Sequence, residues 1–269
     1  MVNLLSINPV AFSLGALELR WYGIIIAFGI ILAFIVVQKE MVKRGMPPDF
    51  LTDLLIWAVP ISIISARIYY VIFSWDYYKE HPGQIIRIWE GGIAIHGALI
   101  GAFITTYIYT RLRNVSFWKT VDIAVAGLLI GQIIGRWGNF VNQEAHGGPV
   151  SEKFLETTII PNWIMNQMTI QGVTYHPTFL YESMWNIVGL IIIILLRKAN
   201  LKRGEMFLFY LVWYSVGRFF IEGMRTDSLY VIGELRAAQF VSIIAIVAAL
   251  LMFSIRRFIQ KIDVNYQDD

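Results

Sequence analysis

The sequence predicts an all-α polytopic membrane protein: seven transmembrane helices, N-terminus outside, C-terminus cytoplasmic, and a small extracytoplasmic subdomain. Three observations predict it. Of 269 residues, 57% are hydrophobic and 15% charged, more apolar surface than a soluble domain can hide. Apolar runs long enough to enter a bilayer recur along the chain. Lysine and arginine concentrate in alternate loops.

Residues 1–20 form a short amphipathic lead-in, closed by the interfacial aromatics Trp21 and Tyr22. The start has no basic n-region and no small-residue cleavage site, so no cleaved signal peptide is expected. Spans are predicted over 22–37, 50–73 (with Arg67 inside), 92–109, 121–134, a fifth ending near 196, 206–221 and 237–253. A polar, aromatic segment separates the second and third. The third opens glycine-rich, with His96 before Gly97 and Gly101. Residues 140–177 are the longest non-membrane stretch and form an extracytoplasmic head segment within a single transmembrane domain, 1–269. Its β-prone piece 157–160 predicts a short strand. The tail from Asp263 is polar.

The basic residues orient these spans. Loops after the first, third, fifth and seventh hold 13 lysines and arginines; the other side holds 8, with Arg67 left inside a span. The positive-inside rule places the heavier side in the cytoplasm. Arg136, Arg218 and Arg225 break the bias, each at a span end and close to a carboxylate. Cysteine is absent, which excludes disulfides, thiolate metal sites and a cysteine nucleophile on the chain. There is no basic stripe for nucleic acid and no phosphate-binding Walker loop or HExxH zinc helix; no cofactor or metal is expected.

Chemistry concentrates in Gly135-Arg136-Trp137-Gly138-Asn139-Phe140-Val141-Asn142-Gln143-Glu144-Ala145-His146-Gly147-Gly148. A charged side chain at mid-bilayer costs about 2.5–3.5 kcal/mol on insertion scales. One arginine near a span end can snorkel, but this one is joined by a second set. At about 100° per residue, Tyr214, Arg218, Glu222 and Arg225 fall near 0°, 40°, 80° and 20° on one helical stripe. That stripe must face protein or a wet cavity, although Arg218 and Glu222 also form a self-neutralising i,i+4 pair. His96 is open to two readings, packing residue or catalyst. The glycines at 97, 101, 127, 131 and 135 are spaced for close helix packing. Outward arginines with an asparagine suit an anion held by bidentate donors, and at headgroup level a lipid phosphate is the economical candidate. The residues themselves lead to an enzyme or carrier handling a phospholipid on the outer leaflet. A lipid or anion transporter is the alternative, though no internal repeat supports it; a membrane scaffold with a structural arginine network is a third reading.

At these residues the chain resembles the prolipoprotein diacylglyceryl transferase family. The stretch from Gly135 to Gly147 is similar to its GRxGNFxNxExxG signature. His96-Gly97-Ala98 resembles its HGG segment, and His176-Pro177-Thr178-Phe179-Leu180-Tyr181-Glu182 its HPxxLYE segment. The run from Tyr214 to Asp227 and the early Tyr22 match as well. Ala98 and Phe179 stand where glycine and glutamine are common. The resemblance implies transfer of the diacylglyceryl group of phosphatidylglycerol to the lipobox cysteine in a preprolipoprotein signal peptide, at the outer leaflet of the bacterial plasma membrane, with release of glycerol phosphate. It implies Arg136 and Arg218 as holders of the departing phosphate and His96 as the base for the thiol. Tyr22, Asn139, Glu144, Tyr214, Glu222 and Arg225 would bind and orient, and Gly147 would permit a tight turn.

Overall fold

Long apolar runs become helices because a bilayer forces the backbone to satisfy its own hydrogen bonds. The computed structural model describes residues 7–15, 17–226 and 230–268. The first six residues of the lead-in, Asp227 of the late motif and Asp269 of the tail lie outside the described residues.

A hairpin, β1 (Val10–Leu14) and β2 (Leu17–Arg20), leads into α1 (Trp21–Lys43). Then come α2 (Phe50–Phe73), the single turn α3 (Trp75–Tyr78), α4 (Ile95–Leu112) and α5 (Phe117–Asn142). The head segment carries α6 (Glu152–Thr157), α7 (Asn162–Gln167) and the hairpin β3 (Thr169–Ile170) and β4 (Val173–Thr174). Next are α8 (Thr178–Leu196), α9 (Glu205–Met224), the hairpin β5 (Tyr230–Ile232) and β6 (Leu235–Arg236), and α10 (Ala237–Ser254). Seven helices among the described residues have 18 or more residues. Five are long and apolar enough to cross a membrane: α1, α2, α5, α8, and α10 with its continuation to Ile259. The other two are α4, which carries His96, and α9, which carries Arg218 and Glu222. The helices expose apolar side chains, Ile30 and Ile31 on α1, Ile56 and Trp57 on α2, Leu250 and Leu251 on α10, which suits lipid as solvent.

The lead-in is a β-hairpin. The structure corrects two expectations. The predicted strand at 157–160 is absent: Thr157 closes α6, whose start Ser151 caps by accepting from Phe154 N. The head's strands lie instead at β3 and β4, joined through Gln171 and Gly172, both at positive φ (51° and 84°), as a tight two-residue hairpin requires. Finally, α5 does not stop near residue 134 but runs through the glycine motif to Asn142. Buried Gln167 secures that end by donating to Phe140 O and Val141 O (3.3 Å each), two carbonyls that a helix terminus leaves unsatisfied.

The contacts divide the chain into two units. One comprises residues up to Val37 and from Asp122 onward; the other runs from Gln38 to Val121. In the second, a Cβ at Gly97 would lie 2.5 Å from Ser65 O, and one at Gly101 2.6 Å from Ser65 Oγ. These glycines let α4 close on α2. In the first, Gly127 makes room for Val37 (2.5 Å), whereas nothing lies within 4 Å of Gly131, so the spacing misreads that residue.

The α8–α9 contact is a reciprocal tryptophan clasp. Trp185 Nε1 donates to Trp213 O (2.9 Å), Trp213 Nε1 donates to Trp185 O (3.1 Å), and the rings stack at 4.3 Å. Each ring lies over a glycine of the other helix, Trp213 on Gly189 and Trp185 on Gly217. At the other end of the unit, buried Asp122 of α5 accepts from Gly204 N (2.5 Å) and Phe207 N (2.8 Å) and caps α9 from outside its own segment. The polar tail folds back there: Tyr266 is fully buried, its N–H bonds Leu201 O (2.7 Å), and Asp263 pairs with Lys202 (2.8 Å).

A methyl group at Gly189 would lie 2.5 Å from Trp213 Nε1, and a stacked indole cannot yield. Gly189→Ala is expected to cost about 1–3 kcal/mol, the range for overpacking, seen as a lower Tm in detergent with helical content retained.

Candidate active site

The site in the first unit is built from the ends of α5, α8 and α9. On α5, Gln132, Arg136 and Asn139 recur at helical spacing and form one polar stripe. On α8 the first turns bring Glu182, and on α9 the stripe brings Arg218, Glu222 and Arg225.

Glu182 joins them. Its Oε2 lies 2.6 Å from Arg136 Nε and its Oε1 3.0 Å from Arg218 Nη1. Arg218 Nη2 reaches Glu222 Oε2 at 2.5 Å, and Arg225 Nε lies 3.9 Å from the same oxygen. The approach to Glu222 Oε2 lacks hydrogen-bond angles, so coulombic attraction holds it. The glutamate side chains are 6% and 5% exposed, against 20% for Arg136 and 18% for Arg218. The acids are therefore the foundation and the guanidiniums the surface. Arg236 closes the end of α9, donating from Nη1 to Glu222 O and to Arg225 O (2.7 Å).

The two arginines differ in what they leave available. Arg136 is held through Nε alone; among the described residues its Nη1 and Nη2 have no partner. Arg218 commits both Nη1 and Nη2 to glutamates. A guanidinium gripped from behind presents its terminal N–H groups as a fork for a tetrahedral anion.

The other predicted residues fall around this network. Asn139 Nδ2 donates to Glu144 Oε1 (2.8 Å), with Asn142 at 3.4 Å, and Gln143 and Ala145 take positive φ (55° and 58°) to fold Glu144 back over the helix end. The Tyr22 ring lies against Gly138, where a Cβ would meet Cδ2 at 2.7 Å. Gly147 does not adopt a left-handed φ, so it is not needed for a turn. It is needed for close approach: a Cβ there would lie 2.8 Å from His176 Cβ and 3.2 Å from Met224 O. Its N–H bonds His176 O, and Gly148 N bonds Met224 O (3.0 Å each), which ties the motif to the end of α9 beside Arg225. Tyr214 stacks on Tyr210 (6.0 Å), and Tyr210 accepts from Gln132 Nε2 (2.8 Å). His96 belongs to the second unit. It is exposed on the first turn of α4, with its ring 6.0 Å from that of Tyr69.

Reading the sequence missed the roles of Glu182 and Arg236. Glu182 left a signal, a carboxylate on an otherwise apolar helix; Arg236 left only its charge. Phe179, where the family commonly has glutamine, stands apart from the ion pairs. It is buried and stacks on Phe140 (4.5 Å) beside Trp137 (5.3 Å), so it serves the core under the head.

Fold and site together define a multi-pass helical membrane protein with an arginine–glutamate network at its helix ends. The sequence model of the prolipoprotein diacylglyceryl transferase family matches residues 9–255, and the chain belongs to that family. It is 65% identical to the phosphatidylglycerol–prolipoprotein diacylglyceryl transferase of Lysinibacillus sphaericus, over 99% of this chain and 98% of the relative. Relatives of the same name from Bacillus velezensis (55%, over 97% of each chain) and Geobacillus kaustophilus (52%, over 98% and 97%) are also similar.

Burial holds His176 below the usual imidazole range, under the Phe154 ring at 4.8 Å and 3.2 Å from Tyr181 Oη. The unfolded chain then binds a proton more readily than the folded one. This part of the stability is present above about pH 6.5 and is lost as pH falls below it. Thermal unfolding at pH 7.5 and 5.5 is expected to show the loss, and His176→Gln to reduce it.

Proposed function

We propose that the protein is a phosphatidylglycerol–prolipoprotein diacylglyceryl transferase of the bacterial plasma membrane, acting in lipoprotein biosynthesis as one catalytic domain of seven spans. In this reading the N-terminus and the head segment 140–177 are extracytoplasmic, the C-terminus is cytoplasmic, and the site opens to the outer leaflet. The charge bias of the loops supports the orientation. The family membership and near full-length identity support the reaction. The observation that supports the site assignment is Arg136, anchored by Glu182 through Nε, its terminal nitrogens having no partner among the described residues.

The thiolate of the lipobox cysteine attacks the glyceryl carbon that carries the phosphate oxygen. A C–S bond forms, the C–O bond breaks, and its electron pair leaves with glycerol phosphate. His96 takes the thiol proton, since an imidazole titrates near working pH and the thiolate is the nucleophile. Charge grows on the departing phosphate, and stabilisation of developing charge is commonly the largest catalytic contribution. Arg136 supplies it directly. Arg218, between two glutamates, contributes positive field and fixes Glu182 in place. Tyr22, Asn139, Glu144, Tyr214, Glu222 and Arg225 bind the headgroup or orient the arginines, and Gly147 keeps the motif against the end of α9.

The assay combines purified protein, phosphatidylglycerol labelled in its acyl chains, and a lipobox peptide. Label on the peptide with free glycerol phosphate is the expected result; folded protein that yields neither would overturn the reading. Arg136→Lys keeps the charge and loses the fork, and kcat/KM is expected to fall about 100-fold, as for loss of one oxyanion donor.

A further inference from the structure

Arg67 is the arginine left over from the ion-pair network. It lies in α2, in the middle of the second unit, and is 7% exposed. A buried arginine ordinarily has a carboxylate partner. Among the described residues Arg67 has none. Four of its five N–H donors go to backbone carbonyls: Nε donates to Ile85 O (2.8 Å), Nη2 to Gln84 O (2.6 Å), and Nη1 to both Gly91 O (2.8 Å) and Gly92 O (2.7 Å). The Tyr78 ring covers it at 5.1 Å. One side chain thus gathers two separate stretches of the α2–α4 connection.

The second stretch ends at His96. Gly91 and Gly92 take positive φ (91° and 72°), which exposes their carbonyls to Arg67 at little backbone cost. Gly92 has no room for a side chain, since a Cβ would lie 2.8 Å from Tyr70 Cε1. Ala94 N then bonds Ala66 O (3.1 Å), next to Arg67, Gly97 lies on Ser65, Ala66 and Tyr69, and the His96 ring faces Tyr69. The lead into α4 is therefore built on residues 65–70 of α2, and the Arg67 fork is its strongest polar tie.

We infer that Arg67 is a positioning residue for catalysis: it fixes the start of α4 and so the place of the His96 imidazole, without touching substrate. The inference rests on the reading of His96 as the base. The fork geometry is essential to it, because a lysine has no planar array to serve four carbonyls at once. Misplacing a catalytic group by about 1 Å can cost about 100-fold in rate.

The test uses full-length protein, phosphatidylglycerol, and two lipobox peptides at pH 7, one with cysteine and one with selenocysteine. A selenol ionises at that pH without a base, so a defect confined to proton removal disappears on it. Arg67→Met is expected to lose about 100-fold in kcat on the cysteine peptide, with KM for the lipid within about twofold, and to recover to within about threefold of wild type on the selenocysteine peptide. Arg67→Lys, which retains a cation in the carbonyl cage and guards against misfolding, is expected to show a smaller loss with the same recovery. His96→Gln must recover in the same way. If it recovers while both Arg67 variants lose equally on the two peptides, Arg67 serves the fold alone and the inference is overturned. If His96→Gln itself does not recover, the base assignment fails and the inference falls with it.

Discussion

Two guanidinium groups repel, and near the edge of a bilayer they do so with little water to screen them. The Glu182 carboxylate makes their proximity possible: one oxygen faces Arg136 of α5 and the other Arg218 of α9. Removing one partner of such a buried set costs about 3–5 kcal/mol, because it strands a charge. Much of the first unit can be read as the means of holding Glu182 there. Ser183, its neighbour on α8, donates to Ile133 O of α5 (3.1 Å), and the Trp185–Trp213 clasp holds α8 to α9. Small residues at 189 and 217 are what allow that clasp to close.

This dependence explains what was and was not legible in the sequence. The long helices follow from apolar length, and the α9 stripe follows from periodicity alone, because both are local properties. The end of α5 was misplaced because glycine, asparagine and a charge are ordinarily signs of a loop. Here Gly138 is small to admit Tyr22, and Gln167, 24 residues downstream of Gln143, accepts through its carbonyl from Gln143 Nε2 (2.6 Å) while its amide caps the helix. No window of local sequence contains that partner. The same holds for Glu182, whose role depends on two helices far from it in sequence, and for the tail, whose Tyr266 looked like part of a solvated end yet is fully buried. Gly131 is the converse case. Its spacing is that of a packed glycine, but spacing cannot say whether a neighbour arrives.

Arg136 and Arg218 are equivalent as letters in a motif and unequal as donors. Arg218 is committed to Glu182 and Glu222 through both terminal nitrogens, so removing it takes one partner from each of two buried acids and perturbs stability and charge together. Among the described residues Arg136 engages only its Nε, so its terminal nitrogens are separate from the group that fixes the side chain. Arg225 and Arg236 stand at the same helix end. Under the proposed function, a guanidinium held from behind, with terminal nitrogens that have no partner among the described residues, suits a substrate that brings negative charge. Glu182 lets the ends of α5 and α9 bring their arginines together on α8, and the proposed function gives the Nη groups of Arg136 to the anion.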